Sequence, residues 1–186
     1  MMQRKVFLDL ETTGLNPVRN GILTIGVIID INGKRVHSKE IKVKCFKHVD
    51  NYALKVNGIN LEEHNKIALS EKQAILKLNE YLSGNKFDNV LYCHNAVFDV
   101  PFLKRFYEEA IVEFPFSYNS VCTLSLAKAL KDVGMIGKYQ SLKNEELYKF
   151  FGGDVSKLNF HNALDDIRAT RHNYYEMLKL IKGVHE

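Results

Sequence analysis

Ten almost continuously apolar residues, GILTIGVIID at positions 21–30, constrain the fold of this chain most strongly. Such a run indicates a strand buried on both faces, because a strand with one solvated face would alternate apolar and polar residues. Asn32-Gly33 follows, and both residues tolerate a positive φ, which predicts a two-residue hairpin. The return strand over residues 34–46 does alternate. With an earlier strand at residues 6–11, the first third of the chain is predicted to be an antiparallel meander.

The periodicity becomes helical after residue 70. Ser70 and Gln73 form a capping-box pattern that predicts a helix extending to Gly84. A short strand at residues 89–94 and four helices are predicted next, the first with Asp99 as its N-cap and the others over residues 119–130, 141–151 and 162–181. This order predicts a single α/β domain over residues 1–186, with a mixed central sheet flanked by helices.

Composition and cysteine usage exclude several classes of protein. Apolar residues make up 46% and charged residues 26% of the 186 positions, which is typical of a globular domain and excludes a disordered or collagen-like chain. No apolar run reaches the roughly 20 residues of a membrane helix, and the N-terminus lacks a signal-peptide cleavage site. Cys45, Cys93 and Cys122 are too scattered for a disulfide framework or a zinc knuckle, which suits a reducing cytoplasm. The net charge of +4 permits a polyanionic partner without requiring one.

Two carboxylates interrupt the apolar strand at residues 6–11. Asp9 and Glu11 share one face, because side chains alternate along a strand. Burying both is unfavourable unless they are paired or bind a metal ion. Taken alone, the pattern is better explained by a strand end that reaches solvent or by a lysine partner.

Two further acidic segments stand at the entrances of predicted helices, HNAVFD at residues 94–99 and HNALDD at residues 161–166. Each has a simple explanation when taken alone. Asp99 can cap its helix, and Asp165 matches the positive end of a helix dipole. Asp166 fits that explanation less well, because it lies beside the apolar stripe and its helical neighbours are small.

Together and in this order, the three segments resemble the motifs of the DEDDh, or DnaQ-like, 3′→5′ exonucleases. The motifs read FLDLETTGL at residues 7–15, HNAVFDVPFL at 94–103 and HNALDDIRA at 161–169. The resemblance is closest to the DNA polymerase III epsilon and ribonuclease T branches, and it implies a ribonuclease H-like fold in which three antiparallel strands precede parallel ones. It also implies metal-binding carboxylates and a catalytic histidine, which map onto Asp9, Glu11, Asp99 and Asp166, and onto His161.

The chemistry implied by this resemblance is hydrolysis of single-stranded nucleic acid from the 3′ end, with DNA favoured, releasing nucleoside 5′-monophosphates. The family's cofactors are two divalent cations, Mg²⁺ or Mn²⁺, and such hard cations prefer carboxylate oxygens. Cys93 is therefore assigned to the core rather than to the metals. His161 would take the proton from the attacking water, since imidazole gains and loses a proton near neutral pH.

Substrate-binding residues are expected in the turn after the first strand and at the start of the second motif. Backbone N–H groups and hydroxyls in the turn can bind the terminal nucleotide, and apolar side chains can contact its base. The phenylalanine candidate also fits ordinary core packing, and the asparagine candidate could simply begin the helix. The candidates are Thr12, Thr13, Gly14, Leu15, Asn95 and Phe98.

Residues 34–47 carry six lysines and arginines against one acid, Glu40. The favoured interpretation is an edge strand that lysine protects from pairing with other chains. The alternative is attraction of phosphate groups, which would weaken steeply with added salt.

Two other functions are compatible with the motifs. An exoribonuclease acting on RNA 3′ ends is one, because HNALDDIRA resembles the oligoribonuclease motif, whereas ALKVNGIN at residues 53–60 resembles the proofreading and ribonuclease T branches. A non-catalytic nucleic-acid-binding module is less favoured, since it would not need all five catalytic positions. The end of the chain at Glu186, directly after the last helix, favours a stand-alone enzyme; homodimerisation and polymerase association are left open.

The site assignment also changes the meaning of the net charge. If metals neutralise four of the 22 acidic side chains, 26 cations face 18 remaining acids, and the net charge becomes +8. A nucleic acid is then the expected partner.

Overall fold

The computed structural model describes residues 2–83 and 87–183. The predicted helix end at Gly84 lies outside these residues. The strands are β1 (Met2–Thr12), β2 (Ile22–Ile31), β3 (Lys34–Lys42), β4 (Phe87–Cys93) and β5 (Ser120–Cys122). The α-helices are α1 (Asn51–Asn57), α2 (Leu61–Ile67), α3 (Glu71–Tyr81), α4 (Ala96–Glu109), α5 (Thr123–Asp132), α6 (Asn144–Phe150) and α7 (Ala163–Lys182), and a 3₁₀ turn covers Val155–Lys157.

The five strands form one mixed sheet in the order β3-β2-β1-β4-β5. The first three strands pair antiparallel, whereas β4 and β5 continue the sheet in parallel with β1. This arrangement confirms the predicted fold class. The hairpin is confirmed too, since Asn32 and Gly33 have φ angles of 52° and 76°.

Helices cover both faces of the sheet. On one face, α3 and α4 pack against alternate β1 residues such as Val6 and Leu8. On the other, α7 packs against Phe7 and Ile28, and α5 and α6 extend that layer. This double cover explains why β2 is buried from Ile22 to Asp30, as its apolar sequence predicts. Within the described ranges, no helix combines the length and apolarity needed to cross a membrane.

Three local predictions were wrong or incomplete. Residues Ser120–Cys122, predicted as the start of a helix, pair with Leu91–Cys93 as a short edge strand. Asp99 is not an N-cap, because α4 begins three residues earlier, after Asn95. The helices α1 and α2 were not predicted; each has only seven residues, and α1 buries none of them, so neither leaves an apolar stripe in the sequence.

Candidate active site

The candidate site lies at the carboxyl ends of two parallel strands, where α/β sheets commonly bind ligands. Pairing between β1 and β4 ends at Phe7 and Tyr92. The chain then leaves β4 and turns at Asn95 into α4, whose first turn places Asp99 against the part of β1 that extends beyond its pairing with β4. The end of β4 and the start of α4 therefore lie next to Asp9 and Glu11 of β1.

Three of the predicted carboxylates converge. Asp9, Glu11 and Asp166 each offer an oxygen, and these oxygens lie within 4.8 Å of one another. Alternation along β1 puts Asp9 and Glu11 on the face covered by α7, and Asp166 comes from the first turn of that helix. An all-oxygen set of this kind fits a hard cation such as Mg²⁺ or Mn²⁺.

Asp99 adjoins this group without belonging to it. Its side chain is only 2% exposed, and burial raises its pKa to about 8 although the backbone N–H of Leu10 acts in the opposite direction. The charge of Asp99 in turn raises the pKa of Asp9. The four acids are therefore coupled electrostatically, even though only three bring oxygens together.

The cluster is unfavourable for charged carboxylates without a cation. Burial, and then the neighbouring Asp99, Asp166 and Glu11, raise the pKa of Asp9 well above its ordinary range. Burial, and then the charges of Asp166, Asp99 and Glu40, raise the pKa of Glu11 to about 8. No ion pair between described residues involves any of the four acids. The negative charge of the four carboxylates must therefore be balanced, either by protons or by bound cations.

We expect the melting temperature of the metal-free protein to fall as the pH rises from about 5 to about 8. Glu11 and Asp99 have pKa values of about 8 in the folded protein, against ordinary values of 4.5 and 3.8. The folded state thus keeps protons that the unfolded state has released, and the stability present at low pH is lost as these groups ionise.

Saturating Mg²⁺ or Mn²⁺ should raise the melting temperature more at pH 8 than at pH 5, since protons compete with the metal at the lower pH. Thermal unfolding followed by circular dichroism, with metal or with EDTA, measures both effects. A metal-induced shift that is absent, or equal at the two pH values, would contradict a converging carboxylate site.

The first turn of α7 rests on the sheet at Gly26. In the strand register Gly26 lies between Asp9 of β1 and Glu40 of β3. A Cβ atom at position 26 would lie 2.2 Å from the carbonyl oxygen of Ala163, which is far inside van der Waals contact. The missing side chain therefore lets the helix come close enough for Asp166 to meet Asp9.

Glu40 holds the same turn from the other side. Its carboxylate accepts a hydrogen bond from the Asn162 side-chain amide at 3.0 Å. Asn162 is also the N-cap of α7, because its side-chain oxygen accepts from the N–H groups of Leu164 and Asp165. The lone acid of the lysine-rich strand thus helps to anchor the helix that carries Asp166.

We expect Gly26→Ala to destabilise the protein by about 1–3 kcal/mol, the usual effect of overpacking a core. Because the added methyl group displaces α7, the increase in melting temperature given by Mn²⁺ should shrink as well. Urea unfolding and thermal melts with metal test this. Gly137→Ala is the matched control, since a Cβ there meets no atom within 4 Å; its effect should stay within about 0.5 kcal/mol.

His161 lies directly before the N-cap of α7, in a left-handed conformation with φ of 68°. Its backbone N–H donates to Asp166 Oδ2 at 2.8 Å, and its side chain is exposed. The turn therefore places the predicted catalytic histidine next to one of the converging carboxylates.

A pocket of about 210 Å³ opens beside Glu11. Four predicted substrate-binding residues contribute to its wall, namely Thr12, Gly14, Leu15 and Phe98. Leu15 is 82% exposed and can contact a ligand, whereas Phe98 packs partly against the core. Helix α1 closes the pocket with Tyr52, Val56 and Asn57. Sequence reasoning missed Tyr52, and it noted the other two only as part of the ALKVNGIN segment.

The other two predicted substrate-binding residues, Thr13 and Asn95, do not line this pocket. The N–H of Thr13 donates to the Gly21 carbonyl oxygen, its hydroxyl donates to the His48 carbonyl oxygen, and its side chain is fully buried. Asn95 lies away from the pocket, on the wall of a larger cleft of about 660 Å³ that His161 and Asp166 also line.

The cysteines and lysines fall largely where the sequence predicts. Cys93 is fully buried in the core and is not among the converging residues. Strand β3 forms the edge of the sheet, with Lys34, Lys39 and Lys42 exposed, as the favoured interpretation of the lysine-rich strand requires. Glu40 and Gly26 are two further site residues that the sequence did not reveal, although a single acid among six cations was a signal for Glu40.

The chain is similar to known proteins over most of its length. The RNase_T family model, described as an exonuclease, matches residues 6–173. The chain is 31% identical to the DNA polymerase III subunit epsilon of Buchnera aphidicola, over 97% of this chain and 73% of that protein. It is 27% identical over 96% of its length to the PolC-type DNA polymerase III of Thermotoga maritima, of which it spans 12%. The chain thus spans about a tenth of the length of the PolC-type relatives it matches.

Solved structures show the same fold. A zinc-bound complex of Escherichia coli ExoI with single-stranded DNA superimposes with a TM-score of 0.84, over 98% of this chain and 42% of that one. The sequences are 18% identical.

Proposed function

The chain belongs to the exonuclease family, and we propose that it hydrolyses phosphodiester bonds from the 3′ end of single-stranded nucleic acid, with DNA favoured. The products would be nucleoside 5′-monophosphates. The observation that carries this proposal is the convergence of the Asp9, Glu11 and Asp166 oxygens, with Asp99 beside them and no ion pair to neutralise them among the described residues. The neighbouring pocket at Leu15 and Phe98 supplies a place for one terminal nucleotide.

The cofactors we propose are two divalent cations, Mg²⁺ or Mn²⁺. Asp9, Glu11, Asp99 and Asp166 would hold them, since the donor set is made of carboxylates and its charge is otherwise unbalanced. When bound, such a pair of cations stabilises the charge on the attacking and leaving oxygens of an in-line displacement.

The side chains of the chain itself would position the substrate and move the proton. His161 would accept the proton of the attacking water at an imidazole nitrogen. The hydrogen bond from its backbone N–H to Asp166 would keep the residue next to the cations. Leu15 and Phe98 would hold the terminal base, a contact that tolerates any base. Glu40 and Gly26 would act indirectly, by fixing the first turn of α7.

DNA is favoured over RNA because similar proteins are a DNA polymerase III subunit and an exonuclease crystallised with single-stranded DNA. Matched 5′-labelled DNA and RNA oligonucleotides, single- and double-stranded, digested with Mg²⁺, test this choice. We expect single-stranded DNA to be shortened fastest. Faster digestion of RNA would assign the protein to RNA 3′-end processing, and binding without any digestion would make it a non-catalytic module.

We also propose a cytoplasmic location. Cys45, Cys93 and Cys122 are free thiols, as expected for a protein of a reducing compartment.

A further inference from the structure

Two of the three cysteines lie side by side at the ends of neighbouring parallel strands. Cys93 is the last residue of β4 and Cys122 is the last residue of β5, and the strand register pairs them directly. Both side chains contact the same apolar core, on the face of the sheet that α3 and α4 cover. Cys45 lies elsewhere, after the end of β3. The function described so far uses neither thiol of the pair.

The spacing of paired residues in a sheet suits a disulfide bond. Adjacent strands lie about 4.7–4.9 Å apart, and the Cα atoms of disulfide-bonded cysteines lie about 4.4–6.8 Å apart. Strand β5 has only three residues and forms an edge of the sheet, so it can adjust its position more easily than a central strand. Cys93 and Cys122 can therefore be joined with little movement of the backbone.

The two thiols differ in accessibility and in acidity. Cys122 is partly exposed, whereas Cys93 is fully buried. Partial burial alone would raise the pKa of the Cys122 thiol. The hydroxyl and N–H groups of Ser125, and then the N–H groups of Ala96 and Asn95, outweigh that effect and lower the pKa below its ordinary value. Redox-sensing cysteines combine exposure and an acidic thiol with a neighbouring cysteine that resolves the oxidised sulfur, and Cys122 and Cys93 fit these two roles.

The cysteine pair adjoins the start of α4, the helix that carries Asp99. Cys93 stands two residues before Asn95, from which α4 begins. The N–H groups of Asn95 and Ala96 that lie near the Cys122 sulfur belong to the same turn. A bond to Cys93 draws this sulfur away from those N–H groups and shifts the turn. The position of Asp99 therefore depends on whether the two thiols are reduced.

We propose that Cys93 and Cys122 form a reversible disulfide on oxidation by a peroxide, and that this bond lowers nuclease activity by shifting the start of α4. The effect on activity rests on the proposed function, whereas formation of the disulfide does not. Disulfides of cytoplasmic proteins are usually transient and redox-sensing, which agrees with the proposed location.

The oxidation proceeds in two steps. The sulfur of Cys122 attacks one oxygen of hydrogen peroxide, the O–O bond breaks, and the hydroxide that leaves takes the proton of the thiol, which gives a sulfenic acid and water. The sulfur of Cys93 then attacks the sulfenic sulfur. The S–S bond forms, the S–O bond breaks, and the departing hydroxide takes the second thiol proton as water. Two thiols are thus oxidised by one peroxide, and a thiol reductant reverses the change.

Treatment of the whole protein with hydrogen peroxide, stopped with catalase, tests formation of the disulfide. Free thiols titrated in denaturant should fall from three to one in a protein that stays monomeric on a non-reducing gel, and dithiothreitol should restore all three. Trypsin cleaves between the two cysteines, at Lys104 and Arg105, so mass spectrometry should find their two peptides joined. Three retained thiols, a sulfinic acid in place of the disulfide, or a bond that involves Cys45 overturns the proposal.

Cys122→Ser should keep both of its remaining thiols after the same treatment. Serine is small and polar and suits the N-cap position that Cys122 occupies before α5, so this variant should fold like the wild type. Cys45→Ala is the matched control and should still lose two thiols. A Cys122→Ser variant that loses its thiols as readily as the wild type contradicts the assignment of Cys122 as the reactive cysteine.

Rates and melting temperatures measure the effect on the carboxylate site. The oxidised wild type should digest single-stranded DNA at least about tenfold more slowly, since a misplacement of about 1 Å costs up to about 10²-fold in rate. The Mg²⁺-induced increase in melting temperature should shrink as well, and dithiothreitol should restore both. Cys122→Ser should keep its rate after peroxide treatment.

The outcomes separate this regulation from the proposed function. An unchanged rate in protein that carries the disulfide overturns the regulatory role. If the reduced protein digests no single strand, the proposed function fails, while the thiol titration and the joined peptides still decide whether the disulfide forms.

Discussion

Asp9→Asn is expected to lower kcat/KM for single-stranded DNA by about 10³-fold or more. Asp9 is the centre of the acidic cluster, since Glu11, Asp99 and Asp166 all raise its pKa. Removing its charge removes a carboxylate proposed to hold the cations, and bound metals contribute several kcal/mol of transition-state stabilisation.

The same substitution should raise the melting temperature of the metal-free protein at pH 8. It replaces a carboxylate whose ionisation burial opposes by a neutral amide of the same shape. Loss of activity together with a gain in stability cannot come from unfolding. Initial rates on a 5′-labelled oligonucleotide and thermal melts in EDTA measure the two effects.

Asp165→Asn is the matched control for this experiment. Asp165 is the neighbour of Asp166 in α7, but its carboxylate accepts from the Asn159 N–H and pairs with Arg168. We expect a change in stability of at most about 1 kcal/mol and little loss of activity. If Asp9→Asn keeps wild-type activity, or loses no more than Asp165→Asn, the metal assignment of the cluster is wrong.

His161→Ala should lower kcat by about 10²-fold or more, the usual contribution of a general base. Its side chain is exposed next to the cleft, and its link to Asp166 uses the backbone N–H, which alanine retains. The substitution should therefore leave the Mg²⁺-induced increase in melting temperature close to that of the wild type. Single-turnover rates and melts with metal separate proton transfer from metal binding.

His37→Ala provides the comparison, because His37 packs on Tyr81 of α3, on the face of the sheet opposite α7. A kcat of His161→Ala equal to that of His37→Ala would show that His161 has only a structural role. Loss of the metal-induced shift in His161→Ala would instead mean that the turn before α7 had moved.

The layout of the sheet could be predicted from the sequence where the signal was local and repetitive. The apolar run in β2 and the positive-φ pair Asn32-Gly33 specified the hairpin, because burial on both faces and turn geometry each leave few alternatives. The acids of β1 and α7 were identified differently, through the combined resemblance of the three motifs, because each motif alone has a simpler explanation.

Features that depend on long-range contacts were not predictable. Three-residue β5 exists because it pairs with β4, and its sequence alone continues the pattern of a helix. Gly26 looked like one residue of an apolar strand, yet its role comes from Ala163, which is far away in the chain. Thr13 resembled its neighbours in the motif, but a buried network with Gly21 and His48 occupies its polar groups.

Digestion of a 5′-labelled single-stranded DNA, sampled over time with Mg²⁺ or with EDTA and resolved at single-nucleotide steps, tests the central claim most directly. We predict a ladder that shortens from the 3′ end one nucleotide at a time with Mg²⁺, and no product in EDTA or with Asp9→Asn. Products from internal or 5′-end cleavage, or an unchanged rate in EDTA, would contradict a metal-dependent 3′→5′ exonuclease built on the Asp9 cluster.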